Sequence, residues 1–364
     1  MKQKYYRLDK ILKHNAKYNI IIGGRSDGKT FAVQERIIER YFASGEVEQG
    51  AIIRRWQDDF IGKRGQAMFS AIVKEGLVYK YSKGRWNNIK YYASKWYFCN
   101  YDGEKHEIVE TSEYPFCYGF GITAQEHDKS TSYPNVTTVF FDEFITRGGY
   151  MPDEFVLFCN VLSTIIRERD NVQIFMCGNT INKYCPYFAE MGLKHMEKMN
   201  AGDIDVYHYG NSGLTVAVEY SDIGRKFGKK SNVYFAFNNP KLQMITGGDW
   251  ELDIYKHLPR KYKPKEVVFD FFIQFDTQML HCEVVEGNND IFIYVHPKTT
   301  PIKNITDDLV YTTNVTNGFP NIRKSFLHPV DDIDRKIAIL YGAGKFFYSD
   351  NETGDVLKNF LECA

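Results

Sequence analysis

The feature that most constrains the fold lies near the start of the chain, where an apolar strand pattern runs into a glycine-rich loop and then a helix. Residues 18–22 read Tyr-Asn-Ile-Ile-Ile, and residues 23–30 read Gly-Gly-Arg-Ser-Asp-Gly-Lys-Thr. Beyond the loop, Val33, Ile37 and Tyr41 recur at helical spacing, so we expect one face of the helix to pack against a sheet. This order of strand, loop and helix is the context in which a G-x-x-x-x-G-K-T pattern binds phosphate.

The residue types of this loop suit a nucleoside triphosphate. Glycines let backbone N–H groups curl around a phosphate, and the dipole at the helix amino terminus favours the negative charge. Lys29 is predicted to reach the terminal phosphates, and the Thr30 hydroxyl is predicted to ligate Mg²⁺. The alternative is a glycine turn that binds nothing. We expect ATP and Mg²⁺ as ligands, and the predicted nucleotide-binding residues are Gly23, Gly24, Arg25, Ser26, Asp27, Gly28, Lys29 and Thr30.

A second apolar strand pattern supplies the carboxylates that such a loop requires. Residues 137–141 read Thr-Thr-Val-Phe-Phe and are followed directly by Asp142 and Glu143. Asp142 is predicted to hold the metal. Glu143 is predicted to orient and deprotonate a water molecule for attack on the γ-phosphate. The pair therefore favours hydrolysis over transfer of the phosphoryl group to a second metabolite.

Two further strand patterns end in polar or charged residues. Residues 172–177 lead to Asn179 and Thr180, which are predicted to hydrogen-bond the γ-phosphate or the attacking water; a capped turn is the alternative. Arg54 and Arg55 end another apolar run, and either contact phosphate or pair with acidic neighbours. Strands that alternate with helices in this way predict a parallel sheet with helices on both faces.

An aromatic and basic segment over residues 79–101 alternates as the strands of a hairpin do. Its interleaved lysines and arginines would suit a platform for nucleic acid. The simpler interpretation, which we prefer, is an amphipathic hairpin that covers the edge of the sheet.

Length and charge set the domain organisation. The 364 residues suggest two or three domains, and 46 basic residues balance 46 acidic ones, which excludes a protein that coats nucleic acid by bulk charge. We expect an ATPase domain over residues 1–200, a linker region over residues 201–265, and a third region over residues 266–364. Local basic residues of the linker are the predicted nucleic-acid contacts, with a solvated linker as the alternative: Lys226, Lys229, Lys230, Arg260, Lys261 and Lys263.

The carboxyl-terminal region reads as a small α+β domain. Strand-like runs cover residues 267–275, 278–287 and 290–297, and helical patterns cover residues 331–340 and 355–361. Seven cysteines without a C-x-x-C pair indicate neither a disulfide framework nor a zinc site. No apolar run has the length of a membrane span and the start lacks a signal peptide, so we expect an intracellular protein without a membrane partner.

Four segments together carry a resemblance to a known family. GGRSDGKT at residues 23–30, IIRR at 52–55, HDKSTSYPNVTTVFFDEFITR at 127–147 and QIFMCGNTIN at 173–182 resemble the phi-29-like phage DNA-encapsidation ATPases, relatives of the large terminases. The similarity covers about residues 15 to 190. It implies a RecA-like P-loop fold of the additional-strand, catalytic-glutamate (ASCE) class. It also implies a homomeric ring, most simply a homopentamer, that drives double-stranded DNA into the procapsid through the portal.

The resemblance also assigns residues and partners. Arg147 would be the arginine finger supplied to a neighbouring subunit, and the carboxyl-terminal domain would be an RNase-H-like module without nuclease activity. The acidic residues that would be remnants of a nuclease site are Asp270, Asp276, Glu283 and Asp290. The protein would act in the host cytoplasm, transiently attached to the procapsid. Whether a packaging RNA joins the motor to the portal is left open.

Two other functions are compatible with the same motifs. One is a different ring ATPase that acts on nucleic acid, such as a helicase or recombinase. The other is a scaffold that binds nucleotide to change partners and turns it over little.

Overall fold

The chain forms two compact units, each with its own sheet and core. The structure is a computed structural model, and it describes residues 5–123, 131–146, 150–179, 185–194, 196–222, 255–275, 278–288, 290–302, 304, 306–313, 315 and 319–364. The first unit is built mainly from the described residues up to 222. The second unit contains residues 255–364 together with residues 150–152 and 185–189.

The described part of the first unit contains a ten-stranded sheet. Its strands are β1 (Tyr18–Gly23), β2 (Gln49–Arg54), β3 (Asn88–Tyr92), β4 (Lys95–Asp102), β5 (Glu107–Thr111), β6 (Cys117–Gly121), β7 (Val136–Asp142), β8 (Gln173–Asn179), β9 (Ile204–Tyr209) and β10 (Leu214–Tyr220). The strand order is β3-β4-β6-β2-β7-β8-β1-β10-β9, with β5 paired to β4. Strands β6, β2, β7, β8, β1 and β10 run parallel, which confirms the predicted parallel sheet.

The position of β8 explains the class of the fold. It pairs with β1 on one side and with β7 on the other, parallel to both. One strand therefore separates the strand before the glycine loop from the strand that ends in Asp142. This is the additional strand that the predicted fold class requires, and the α/β prediction for this unit is confirmed.

Helices cover both faces of this sheet. They are α1 (Lys29–Ala43), α2 (Lys63–Ala67), α3 (Ser70–Lys74), α4 (Leu77–Tyr81) and α5 (Glu154–Ile166). A short α6 (Pro186–Glu190) follows β8 and belongs mostly to the second unit. Val33 and Ile37 of α1 belong to the same buried cluster as Phe140 of β7. The next residue, Phe141, stacks on Phe158 of α5 with ring centroids 5.0 Å apart. Because successive strand residues face opposite sides, α1 and α5 lie on opposite faces of the sheet.

The predicted linker begins later than expected. Strands β9 and β10 lie within residues 201–265, yet β10 pairs in parallel with β1 and β9 pairs with β10. Val216, Ala217 and Val218 are fully buried. The physical reason is that β1 is a central strand whose second edge needs a hydrogen-bonding partner, and this segment provides it. Residues 201–222 therefore belong to the first unit.

The aromatic segment forms the expected edge hairpin in its second half. Strands β3 and β4 pair antiparallel at the end of the sheet, and Trp86, Trp96 and Phe98 are buried. Its first residues differ from the prediction, because Tyr79 lies in α4 rather than in a strand. Since the tryptophans pack in the core, the hairpin interpretation is favoured over the nucleic-acid platform.

The described part of the second unit contains a six-stranded sheet with helices on one face. Its elements are β11 (Val267–Phe275), β12 (Gln278–Glu286), β13 (Ile291–Pro297), β14 (Leu309–Thr312), β15 (Ile322–Arg323), α7 (Asp332–Gly342), β16 (Phe346–Tyr348) and α8 (Asn351–Cys363). Strands β11, β12 and β13 form an antiparallel meander, and β14 adds in parallel to β11. Residues of β11–β13, α7 and α8 share one buried cluster. The predicted small α+β domain is confirmed.

Among the described residues, no helix combines the length and the apolar character needed to cross a membrane.

Candidate functional site

The loop between β1 and α1 can be built only with glycine at two positions. A Cβ on Gly23 would lie 2.0 Å from the Ser221 hydroxyl oxygen. Gly28 has a φ of +92°, and its Cβ would lie 3.2 Å from the side chain of Tyr5. L-residues rarely adopt such a φ, so the sequence pattern and the backbone geometry agree. The loop places the amino terminus of α1 at the end of β1.

Lys29 lies buried at the start of α1, with 5% of its surface exposed. Its Nζ donates to the carbonyl oxygen of Gly24 at 2.5 Å and lies 3.9 Å from the carboxylate of Asp27. Burial lowers the pKa of Lys29 below its ordinary value, although Asp27 opposes the shift. A desolvated ammonium group gains more from a bound anion than an exposed one does. Lys29 is therefore positioned to bind an anion in the loop.

The second group of the site is a hydroxyl and carboxylate pair. The Thr30 Oγ1 donates to Oδ1 of Asp142 at 2.9 Å. The two residues meet because β1 and β7 run parallel and end at the same edge of the sheet. Asp142 is 3% exposed, and burial raises its pKa while Arg54 opposes the shift. The two side chains together offer oxygen ligands, the type that Mg²⁺ prefers.

Arg54 connects the two acidic residues. Its Nη2 lies 2.9 Å from Oδ2 of Asp142, and its Nη1 donates to Oε2 of Glu143 at 2.6 Å. Glu143 has a φ of 57°, a left-handed conformation that is uncommon for a residue with a side chain. Its side chain is 63% exposed. In this conformation the carboxylate of Glu143 is therefore held by the arginine.

Arg55 has a structural role, which separates it from Arg54. It is 7% exposed and forms a bidentate ion pair with Glu154, with Nε and Nη2 each 2.9 Å from the carboxylate. Its Nη2 also donates to the carbonyl oxygen of Phe144 at 2.8 Å. Arg55 thus joins the start of α5 to the segment after Glu143. Of the two predicted alternatives, pairing with acidic neighbours holds for both arginines.

A cavity of about 610 Å³ lies at this site, and its lining includes Lys29, Thr30, Arg54, Asp142 and Asn179. Arg55 and Glu143 are not among the lining residues. Asn179 reaches the cavity because it pairs in register with Gly23 at the end of β8. The lining also includes residues of a segment that sequence reasoning missed, and they are Asp59, Arg64, Ala67, Met68, Ser70 and Ala71. The sequence gives no signal for these residues, because α2 and α3 are each only five residues long. A helical pattern of apolar residues is recognised only over a longer window.

Several predicted site residues lie outside the described part of the chain. They are Arg147, Thr180, Lys226, Lys229, Lys230 and Asp276. Of the remaining basic candidates, Lys261 and Lys263 are exposed. Arg260 is paired instead with Asp290 at 2.9 Å and with Glu266 at 2.8 Å. Because two carboxylates neutralise its charge, the structure does not favour Arg260 as a nucleic-acid contact.

Three of the acidic candidates, Asp270, Glu283 and Asp290, lie in the described part of the second unit. Asp270 and Glu283 lie opposite each other on β11 and β12. Asp290 lies just before β13 and is bound by Arg260. Cleavage by two metals requires several carboxylates that converge on ions about 4 Å apart. Because Arg260 compensates the charge of Asp290, the structure does not favour Asp290 as a metal ligand.

Comparison with known proteins identifies relatives over most of the chain. The DNA packaging protein of Bacillus phage PZA is 26% identical over 334 residues, 89% of this chain and 90% of that protein. The DNA packaging protein of Bacillus phage B103 is 29% identical over 187 residues, and this match spans 50% of each protein.

Two solved structures share the fold over nearly the whole chain. A chain of the Phi-28 gp11 DNA packaging motor aligns with a TM-score of 0.56 and 16% identity, covering 99% of this chain and 98% of that one. A chain of the bacteriophage Phi-29 viral genome packaging motor assembly aligns with a TM-score of 0.53 and 20% identity, covering 98% and 97%. The family model described as Podovirus DNA encapsidation protein (Gp16) matches residues 116–308. Because this match spans more than half of the 364 residues, the chain belongs to the family of podovirus DNA encapsidation proteins.

Proposed function

We propose that this chain is an ATPase whose hydrolysis of ATP drives double-stranded DNA into a viral procapsid, as a homomeric ring at the portal. The observation that carries the proposal is the contact of 2.9 Å between Thr30 and Asp142 beside the buried Lys29. It places a candidate metal-binding pair next to a candidate phosphate-binding loop. Membership of a family of DNA encapsidation proteins supports the choice of DNA as the substrate that is moved. The motor would act in the host cytoplasm, attached transiently to the procapsid.

The nucleotide would bind in the cavity of about 610 Å³. The loop between β1 and α1 surrounds the phosphates with N–H groups, and Lys29 leaves the Gly24 carbonyl to pair with the terminal phosphates. Arg25 and Ser26 belong to the same loop. The negative charge of the phosphates would then compensate the positive charge of Lys29, which burial disfavours.

Mg²⁺ fits the residues present, since Thr30 and Asp142 offer a hydroxyl and a carboxylate oxygen on the loop side of the cavity. When bound, the ion neutralises charge on the β and γ phosphates. The role of the chain is to hold these two side chains at one place by the register of β1, β8 and β7. It also keeps Asp142 away from water, at 3% exposure.

Glu143 would act as the base that takes a proton from the attacking water. The structure holds its carboxylate on Arg54 at 2.6 Å, so we infer that catalysis requires this contact to break. Asn179 lines the same cavity and is suited to orient the water or the γ-phosphate through its side-chain amide. Arg147 would complete the site of a neighbouring subunit as an arginine finger, worth about 10³ to 10⁵ in rate where such residues act.

DNA contacts would come from basic residues that are not already paired. Lys261 and Lys263 are exposed, and Lys226, Lys229 and Lys230 remain candidates from the sequence. Contacts to phosphate carry no base specificity, which suits a motor that moves along any sequence. Such binding weakens steeply as salt is added, because each contact releases counterions.

ATP turnover with and without blunt duplex DNA tests the proposal, read together with the mass of the oligomer. Lys29→Ala should abolish nucleotide binding, whereas Glu143→Gln should bind ATP and lose hydrolysis. Lys105→Ala and Glu107→Gln are matched controls, since both residues are exposed and neither lines the cavity. The proposal is wrong if Lys29→Ala binds ATP as the unchanged chain does, or if Glu143→Gln hydrolyses it normally.

The nucleic acid that stimulates turnover separates the motor from its alternatives. A packaging motor should respond to duplex DNA, whereas a helicase should respond to single strands. In a nucleotide-gated scaffold, Glu143→Gln would leave partner exchange intact. A motor with the same change would instead be trapped with ATP bound.

Mixing two inactive variants tests the ring and the finger together. Arg147→Ala subunits keep Glu143, and Glu143→Gln subunits keep Arg147. Where they alternate, some sites have both groups, so activity should reappear on mixing. If Arg147→Ala alone hydrolyses ATP at the normal rate in an assembled ring, the finger assignment fails.

A further inference from the structure

The meander of the second unit brings two histidines and a glutamate to one face of the sheet. His281 and Glu283 lie two residues apart on β12, so their side chains share a face. His296 of β13 is the direct cross-strand partner of His281, and their ring centroids are 4.8 Å apart. A ligand-type atom from each of the three residues lies within 4.8 Å of the others. No cysteine takes part.

The hydrogen bonds of His296 define what its second nitrogen can do. Its Nδ1 lies 3.3 Å from the carbonyl oxygen of Pro297, and because a carbonyl oxygen only accepts, the tautomer with the proton on Nδ1 satisfies this contact. In that tautomer Nε2 presents a lone pair to the carboxylate of Glu283, 3.3 Å away. A cation bound between these two acceptors would interact favourably with both of them.

His281 also has a ring nitrogen close to a carboxylate. Its Nε2 is buried and has no hydrogen bond of acceptable geometry within the described chain, yet it lies 3.2 Å from Oδ1 of Asp270. Among the described residues, no lysine or arginine forms an ion pair with Asp270 or Glu283. The hydroxyl of Tyr262 donates to Glu283, which orients that carboxylate in the manner of an outer-shell partner. The face therefore carries two carboxylates that lack a permanent counter-charge.

We propose that His281, Glu283 and His296 bind one divalent transition-metal ion, with Zn²⁺ as the ion that suits two imidazoles and a carboxylate. At metal–ligand distances near 2.0–2.1 Å, tetrahedral ligand atoms are roughly 3.4 Å apart. The separation of 3.3 Å between Nε2 of His296 and Glu283 matches this value. The wider spacing of up to 4.8 Å in the group closes with side-chain movements of about 1 Å. The fourth position is left for water or for Asp270.

The three side chains are accessible to an ion without being fully exposed. Their exposed fractions are 21% for His281, 21% for Glu283 and 29% for His296. Phe272 stacks on the His281 ring with centroids 5.0 Å apart, which restricts its rotation. A metal bound here would join β12 to β13 and stabilise the meander.

Metal titration of the full-length chain after removal of metals with a chelator tests this site. The wild-type chain should bind one equivalent of Zn²⁺ that His296→Gln loses or binds at least about tenfold more weakly, the loss that even outer-shell changes produce. His208→Gln is the matched control, since His208 is an exposed strand residue of the first unit. Co²⁺ bound at this site should show visible absorption without a sulfur-to-metal charge-transfer band.

A second variant guards against a folding defect. If circular dichroism shows that His296→Gln is misfolded, Glu283→Gln takes its place, and it should lose the same equivalent. The proposal is overturned if the wild-type chain binds no Zn²⁺, or if both variants bind as much as the wild-type chain. In that case the cluster consists of imidazolium and carboxylate ion pairs. Lys29→Ala should retain the Zn²⁺ equivalent, so the outcome is independent of the nucleotide site.

Discussion

Arg54 decides how the two acidic residues of the site behave in the absence of nucleotide. It pairs with Asp142 at 2.9 Å and with Glu143 at 2.6 Å, and its side chain is only 17% exposed. Removal of one partner of a buried ion pair leaves the other charge uncompensated, at a cost of about 3 to 5 kcal/mol. If the Arg54 side chain were removed, the uncompensated charge would be the carboxylate of Asp142, which is 3% exposed.

Arg54→Ala should therefore lower the unfolding temperature of the chain without ligand, and Mg²⁺ with ATP should recover more stability than in the wild-type chain. A bound cation would replace the missing guanidinium beside Asp142. Thermal unfolding with and without Mg²⁺ and ATP measures this. Arg85→Ala is the control, because its pair with Glu46 is at the surface, with 59% of the arginine side chain exposed, and should matter little. Equal ligand-induced shifts in wild type and Arg54→Ala would contradict the expectation.

Because Glu143 remains as an ionic partner of Arg54, Asp142→Asn should raise the stability of the ligand-free chain at neutral pH. Burial raises the pKa of Asp142 above its ordinary value, so the ionised carboxylate costs folding free energy. The contribution of the acid is most favourable below its ordinary pKa, and it is lost as pH rises through the raised one. The advantage of Asn should accordingly shrink as pH falls towards about 4.

The same variant should lose the Mg²⁺-dependent part of nucleotide stabilisation. Unfolding curves across pH, with and without Mg²⁺ and ATP, report both effects. A variant that is less stable than the wild type at pH 7 and equally responsive to Mg²⁺ would show that Asp142 is neither strained by burial nor a ligand.

The helices of the second unit begin at aspartates that satisfy free backbone N–H groups. Asp331 precedes α7 and accepts from the N–H of Ile333 and Asp334 at 2.9 and 3.0 Å. Asp350 precedes α8 and accepts from the N–H of Thr353 at 2.7 Å. Both helices pack on the meander. Loss of the cap at either helix start should therefore also weaken the packing of the core.

Asp350→Ala should lower the free energy of unfolding of the second unit by about 1 kcal/mol, since it removes an N-cap. Asp350→Asn is the control, because Asn caps a helix about as well as Asp. Urea unfolding followed by a signal from the second unit gives the difference. If Asp350→Ala and Asp350→Asn lower the free energy of unfolding equally, the side-chain cap does not stabilise this helix start.

Among the described residues, each unit has a buried cluster of its own. One cluster includes α1, β1 and β7 residues, and the other includes β11–β13, α7 and α8 residues. Local stability in proteins follows such cooperative units. A change in one core should therefore be visible in that unit before it affects the other.

Phe360→Ala tests this division. Phe360 is fully buried in α8, and its truncation should cost about 3 to 5 kcal/mol. Hydrogen exchange should increase in peptides of β11–β13 and α8, while nucleotide binding at the loop after β1 stays unchanged. Phe319→Ala is the control, since Phe319 is 47% exposed. Loss of nucleotide binding in Phe360→Ala would show that the two cores do not act separately.

Patterns within short stretches of chain were enough to predict the main elements. The strands before Gly23 and Asp142 and the helix after Thr30 agree with the structure because apolar periodicity and glycine geometry depend on neighbouring residues. Tyr79 and the start of the linker were misplaced. At those positions a short helix and a strand that pairs with β1 depend on partners far away in the chain.

The chemistry of the phosphate loop and of the Asp-Glu pair could therefore be predicted from the order of residue types along the chain. The bridge made by Arg54, the cavity lining at residues 59–71 and the cluster of His281, Glu283 and His296 were decided by the tertiary structure alone. Each depends on which strand lies beside which and in what register. Local periodicity cannot carry that information, because the contacts form between segments that come together only when the sheets assemble.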